Sequence, residues 1–305
     1  MSSSSIRSTV SQVGVPEPLG KPIRGPRALG DSWPRFWHLA YNIARSEFKL
    51  KFFGSALGYL WQVVRPLLLF GVLYVFFVVV FKVDKGKGAA GDFYGVQLLG
   101  SIVLFTFFGE ATTGSVRSVV DRENLVRKIQ FPRLAIPISV VLLALFNFGL
   151  NLVVVMIFAV VSGVRPMLTW LELPVIILVL TLLSTGVAML LSALFVRFRD
   201  ISPIWEVLSQ ILFYSAPVIL PAETVKEKLA HGTTNHILYH IYTLNPLVII
   251  FQQFRHAMIN PAVQGAAGIM GSRAALLAPL GLVAAIFVVG FWYFNRQAPH
   301  IAEDL

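Results

Sequence analysis

The ionisable side chains of this chain are few and unevenly placed, and the densest group is Arg117, Arg122, Glu123, Arg127, Lys128 and Arg133, closing on Phe131-Pro132-Arg133. The stretches on both sides of this segment, Arg117 to Pro137, are almost purely apolar. A charged segment that cannot enter lipid, tied at both ends to spans that cannot leave it, is suited to pass force from a soluble motor into a membrane-embedded body. Two carboxylates, Glu110 and Glu206, fall inside apolar windows near the same boundary. A carboxylate at membrane depth is expensive, so each is expected either to handle a proton or substrate or to pair with a cation; pairing with Arg117, Arg197 or Arg199 is the reading favoured. A proton relay needs a chain of such groups at the midplane, and the sequence has none.

Other chemistries are excluded by absence of pattern. There is no G-x-x-x-x-G-K-[ST] phosphate loop, so ATP would be handled by another polypeptide. There is no H-E-x-x-H; His236 and His240 are spaced for one helical face, but no third ligand is fixed, and ordinary polar histidines are expected. With no cysteine, neither a disulfide nor a thiolate site can form.

The elements that must position these groups are helices in lipid. Hydrophobic residues make up 56% of the chain, charged residues 13%, and the mean hydropathy is +0.74, too few charges to clothe a soluble surface. The fold class expected is all-α integral membrane, with six spans at about 63–81, 96–116, 138–161, 173–196, 201–220 and 274–295. Continuous apolar runs rather than alternation exclude a barrel. Seventeen of the 25 Lys and Arg fall on one side of these spans, which puts both termini in the cytoplasm. Residues 1–32, rich in Ser, Pro and Gly, read as a disordered tail, 33–296 as the membrane domain and 297–305 as a cytoplasmic end. No basic patch interleaved with aromatics is present, so nucleic acid is not an expected partner.

Between Pro34 and Phe53, Trp37, Ala40, Tyr41, Ala44 and Phe48 recur at helical spacing, which predicts a helix lying on the inner leaflet, and Trp61 marks the headgroup level. In the last outer loop, Asn245-Pro246 and Asn260-Pro261 bracket the amphipathic run Leu247 to Ile259, too short to span, which predicts a re-entrant or surface helix. Phe70, Tyr74, Phe77 and Phe81 step by 4, 3 and 4 along the first span. Phe105 and Phe108 are spaced likewise on the second, and Trp205, Phe213 and Tyr214 decorate the fifth. Such faces suit the C–H faces of sugar rings or, equally, packing between helices. No internal repeat of the secondary-transporter kind is visible.

Asn124-Leu125-Val126-Arg127-Lys128-Ile129-Gln130-Phe131-Pro132-Arg133, followed by Pro137, resembles the loop of ABC type-2 permeases that export polysaccharides and teichoic acids. Arg45-Ser46-Glu47-Phe48-Lys49, Gly54 to Trp61 with Arg65-Pro66, and Arg197-Phe198-Arg199-Asp200-Ile201 leading to Tyr214-Ser215-Ala216-Pro217-Val218 are similar to further motifs of that family, in the family's order. Two positions depart from it: Ser46, where an acidic residue is common, and Arg65, where a smaller polar one is usual. The resemblance implies a homodimer forming a channel through the bacterial inner membrane, with two copies of a separate ATPase subunit. ATP and Mg would sit on that subunit, with no cofactor in this chain and no enzyme activity of its own. It implies a polyprenyl-diphosphate-linked glycan as cargo, and the overall cast is most similar to actinobacterial permeases that export cell-wall galactan. By the same resemblance, the 117–137 residues named above contact the ATPase, together with the interfacial helix. Phe70, Tyr74, Phe77, Phe81, Phe105, Phe108, Phe213 and Tyr214 line the channel. Arg45, Lys49, Lys51, Tyr59, Trp61, Arg65, Arg197, Arg199 and Glu206 form the cytoplasmic entrance, and Asn245, Pro246 and Arg255 the outer gate. An ion-coupled flippase of lipid-linked glycans is the alternative, and no carboxylate pair suits a glycosyltransferase.

Overall fold

The computed structural model describes residues 32–51, 58–82, 89–123, 132–229, 233–259 and 263–299. Among these residues there is no strand, and the architecture is a helical bundle. Helix α1, Trp33–Leu50, carries Pro34 in its first turn, where the missing N–H breaks no bond, and buries one stripe of Phe36, Ala40 and Ala44 along α5 (Ala135–Val161). A second stripe, Trp33, Trp37 and Tyr41, stays exposed beside it. A helix with one face on protein and an aromatic edge outside is what the pattern after Pro34 predicts for a helix at headgroup level.

Helix α2, Leu60–Tyr74, runs on as a wider π turn over Val75–Val80. The short α3, Ala89–Asp92, precedes α4, Tyr94–Val116. After α5, a 3-10 turn over Leu168–Glu172 leads into α6, Leu173–Arg197. Then come α7, Ile201–Ser215; α8, Ala222–Leu229; α9, Thr233–Leu244; α10, Pro246–Met258; α11, Ala266–Met270; and α12, Leu277–Gln297, entered through a 3-10 turn over Ala274–Leu276.

Among the described residues, five helical stretches are long and apolar enough to cross a membrane: Leu60–Val80, Tyr94–Val116, Ala135–Val161, Leu168–Arg197 and Ala274–Gln297. The expected sixth spanning helix over 201–220 is not found. Its window forms only the 15 residues of α7, because Pro217 disfavours helical geometry at the residue before it, and Ala216 is extended at φ −78°, ψ 155°. At 1.5 Å per residue α7 is about 22 Å long, short of a hydrocarbon core of about 30 Å. The segment nevertheless runs antiparallel along all of α4. Arg117 at the end of α4 bonds Ser202, Phe108 meets Trp205, Phe105 meets Phe213, and Tyr94 at the start of α4 donates to the Ile219 carbonyl at 2.8 Å. The turn over Ala216 to Val218 and the bend at Ile219 carry the chain on past the end of the helix.

Helix α4 is the axis of the bundle. Seventy-two per cent of its apolar window is buried, against 6% for α2, and α5, α6, α2 and α7 surround it. Helices α6 and α12 cross at paired glycines: a Cβ on Gly290 would stand 2.2 Å from the Gly186 carbonyl oxygen, and one on Gly186 2.7 Å from the Phe287 Cα. Small residues at such a crossing let two backbones touch, which is the usual means of holding helices together where lipid removes the hydrophobic drive.

Candidate functional site

The basic end of the bundle is where α4, α6 and α1 meet. Arg117 is exposed, donates from Nε to Ser202 Oγ at 3.3 Å and lies 5.8 Å from the centre of the Phe195 ring. Arg199 lies 5.2 Å over the same ring, and Arg197 5.6 Å over Phe198. Arg122 forms an ion pair with Glu47 of α1 and donates to the Ser118 carbonyl at 3.2 Å. The start of the expected docking segment is therefore bolted to α1. Glu123 and Pro132 are half-buried. Arg133 is only 5% exposed and sits inside the protein, just before α5. Arg127, Lys128 and Phe131 lie outside the described residues.

At this end, α1, α2, α4 and α5 line an open polar cavity of ≈ 640 Å³. Glu110 is its deepest charge. Gln62 Nε2 donates to one carboxylate oxygen at 2.8 Å, Asn147 Nδ2 to the other at 2.7 Å, and Lys51 Nζ stands 3.8 Å away while donating to Gln62 at 3.2 Å. The expectation that Arg117, Arg197 or Arg199 neutralises Glu110 is corrected: those guanidiniums lie on aromatic rings, and the partners come from α2, α5 and the end of α1. Arg65 lines the same cavity. Arg45 and Lys49 are exposed on α1, Trp61 is exposed on α2, and Tyr59 stacks on Phe48 at 5.0 Å.

A second cavity, ≈ 290 Å³, opens on the α4–α7 face between Phe105, Phe213, Tyr214, Glu206, Ser209 and Gln210. Phe105 and Phe213 meet edge-on at 5.0 Å, Phe213 and Tyr214 at 5.3 Å, and Tyr214 is 76% exposed. Glu206 is exposed and has no hydrogen-bond or ion-pair partner among the described residues. Phe108 does not reach this face: it is 2% exposed and packed under Trp205, the helix-packing alternative for such an aromatic. On α2, Phe70 and Tyr74 turn into the bundle, against Phe158 at 5.5 Å and over Gly95. Phe77 is half-buried and Phe81 is exposed.

At the far end, Asn245 caps α10 by accepting from the Leu247 N–H at 3.0 Å, with Pro246 as the first helical residue, as the Asn-Pro pair predicts. Helix α10 dips into the bundle, its Phe254 ring resting over Gly100 on α4. Arg255 on it is fully buried. Its Nη1 donates to Glu223 of α8 at 3.2 Å and to Gln252 Oε1 at 3.1 Å, and Gln252 donates to Glu223 at 2.7 Å. Burial pushes the guanidinium below its usual range and Glu223 opposes that fall. Burial likewise raises the Tyr239 and Tyr242 hydroxyls, that of Tyr239 to about 12. Thr169 and Trp170 donate to the Ala257 and Met258 carbonyls at 2.8 and 3.1 Å, closing the end of α10.

The sequence profile described as "ABC-2 type transporter" matches residues 39–259, more than two thirds of the chain. The chain belongs to the ABC-2 type transporter family. The matched segment runs from α1 through α10 and so contains both cavities and the Arg255 cluster. Among curated relatives, this ABC-2 chain is 26% identical over 264 residues to an O-antigen export system permease protein of Klebsiella pneumoniae, covering 86% of this chain and 93% of the relative. It is 26% identical over 273 residues to the protein of the same name from Myxococcus xanthus, covering 88% and 95%. The groups that sequence reasoning missed are Gln62, Asn147, Glu223 and Gln252. For Gln62, Asn147 and Gln252 the signal available was the amide itself, since an amide among apolar residues needs a partner, but nothing in the spacing says which; Glu223, a carboxylate in a charged segment, gave no such signal.

Proposed function

We propose that this ABC-2 permease is the membrane subunit of an ATP-driven exporter of a polysaccharide. The cargo is built on a polyprenyl diphosphate in the cytoplasm and moved across the bacterial inner membrane by a homodimer carrying two ATPase subunits. The observation that carries this reading is the α4–α7 face. Phe105, Phe213 and Tyr214 offer flat apolar surfaces to sugar C–H groups, while Glu206, Ser209 and Gln210 offer hydrogen bonds to hydroxyls. Such a mixture binds each sugar weakly and lets the next replace it. The names of the relatives support export of a glycan, and a cell-wall galactan is the first cargo to test. The apolar faces on α2 and its π turn, with Leu68, Leu69, Val72, Phe76 and Val79, and on α7, with Ile204, Val207 and Ile211, are the surfaces available to a second copy. The basic end, with Arg117 exposed and Arg122 tied to α1, supports a docking place for the ATPase.

The ion-coupled alternative draws no support from Glu110, whose two oxygens are taken by amides. The test is gentle purification from the native membrane with mass spectrometry of the bound proteins and lipids, followed by transport in vesicles. The expected outcome is a stoichiometric protein bearing a phosphate-loop motif, and glycan export that stops on ATP depletion but survives collapse of the proton gradient. Export with the opposite dependence overturns the reading.

A further inference from the structure

We propose that the polar cavity between α1, α2, α4 and α5 seats the phosphodiester headgroup of a resident zwitterionic phospholipid, with Arg65 holding the phosphate and Asp121 the ammonium. The cavity is deep enough to take a whole headgroup. It runs from Asp121, exposed beyond the end of α4, past that end and on to Glu110, six residues or about 9 Å further along the helix. The headgroup region of one leaflet is about 5–7 Å thick, and α1, with its exposed Trp33, Trp37 and Tyr41, marks that level beside it. Its volume of ≈ 640 Å³ lies within the range of sites that enclose small molecules, and Val140, Leu143 and Ala144 of α5 give it one apolar wall.

The charges choose the ligand. The lining holds three cations, Lys51, Arg65 and Arg122, and three anions, Glu47, Glu110 and Asp121. Arg122 is paired with Glu47, and Lys51 stands by Glu110, whose oxygens also take the Gln62 and Asn147 amides. Arg65 and Asp121 remain, each without an ion-pair partner among the described residues. Arg65 is exposed on α2, and its planar fork matches two phosphate oxygens. Asp121 lies on the water side. A phosphodiester carrying its own ammonium satisfies both and leaves the cavity neutral, whereas a carrier diphosphate would bring surplus negative charge beside Glu47 and Glu110.

The site depends only on the chain's place in a membrane, and its test reads binding without transport, so its failure is separable from that of the export reading. The full chain is stripped of lipid, offered vesicles of phosphatidylethanolamine and phosphatidylglycerol doped with polyprenyl diphosphate, and weighed intact by native mass spectrometry. One phosphatidylethanolamine per chain is expected, with retention falling about tenfold or more in Arg65→Ala and partly restored in Arg65→Lys. Asp121→Asn, at an exposed position outside the helices, is expected to fold normally and to shift retention toward phosphatidylglycerol. Retention of no lipid, equal retention in Arg65→Ala, or preferential capture of polyprenyl diphosphate overturns the proposal. Should Arg65→Ala fail to fold, an unchanged lipid preference in Asp121→Asn overturns it alone.

Discussion

At the scale of the residue, Glu110 decides how the inner half of the bundle holds together. Its carboxylate ties α2 through Gln62, α5 through Asn147 and the end of α1 through Lys51. Glu110→Leu removes both acceptors at once and strands two amide donors at membrane depth, with a cost of about 1–3 kcal/mol. Partial access to the cavity places the effect toward the lower end of that range. Glu110→Gln keeps one oxygen to accept from one of the two amides and should lose less. Thermal unfolding in detergent checks the order: wild type above Glu110→Gln above Glu110→Leu. A Glu110→Leu protein as stable as wild type would show that the amides find water instead.

At the scale of the element, the α6–α12 crossing rests on the absence of two side chains. A methyl at Gly290 meets the backbone of Gly186, which cannot rotate away as a side chain could, so the helices must separate along a shared apolar length. Gly290→Ala and Gly186→Ala should each cost about 1–3 kcal/mol, the range for overpacking. Gly109 and Gly149 have open space where a Cβ would go, and alanine there should be neutral or stabilising by up to about 1 kcal/mol. Melting temperatures of the four variants separate crowding from helix propensity; equal shifts in all four would remove the close crossing. The same scale shows what the sequence makes legible. Apolar runs gave the five spanning helices to within a few residues, and the Asn-Pro pair gave the start of α10, because both signals are local. The break in α7 was equally local, in Ala216-Pro217, but an apolar window sums over a proline without registering it. The charges of the site were legible and their pairings were not. Arg122 finds Glu47, and Glu110 finds Gln62 and Asn147, across dozens of residues of sequence, and only the packing of α1, α2 and α5 on α4 brings them together.

At the scale of the whole molecule, the short α7 raises the question of which side each end of the chain occupies. Counting spanning helices alone gives five crossings and termini on opposite faces. The ladder from Arg117–Ser202 to Tyr94–Ile219 instead carries the chain along the entire length of α4, so that α8 to α11 lie at the end opposite the basic one and α12 brings the chain back. The backbone groups freed at Ala216 to Ile219 are tolerated at membrane depth only if protein or water covers them, and Ala216 and Val218 are buried, with Tyr94 taking the Ile219 carbonyl. The chain contains no cysteine, so single cysteines can be introduced and labelled from either face without background. Asp200→Cys and Arg296→Cys are both expected to react only from the face that carries the basic loop, and His240→Cys, exposed on α9, only from the other. If α7 turned back without crossing, His240→Cys would react on the same face as Asp200→Cys and Arg296→Cys on the opposite one, a reversal of both labels that no local distortion of the helix could produce.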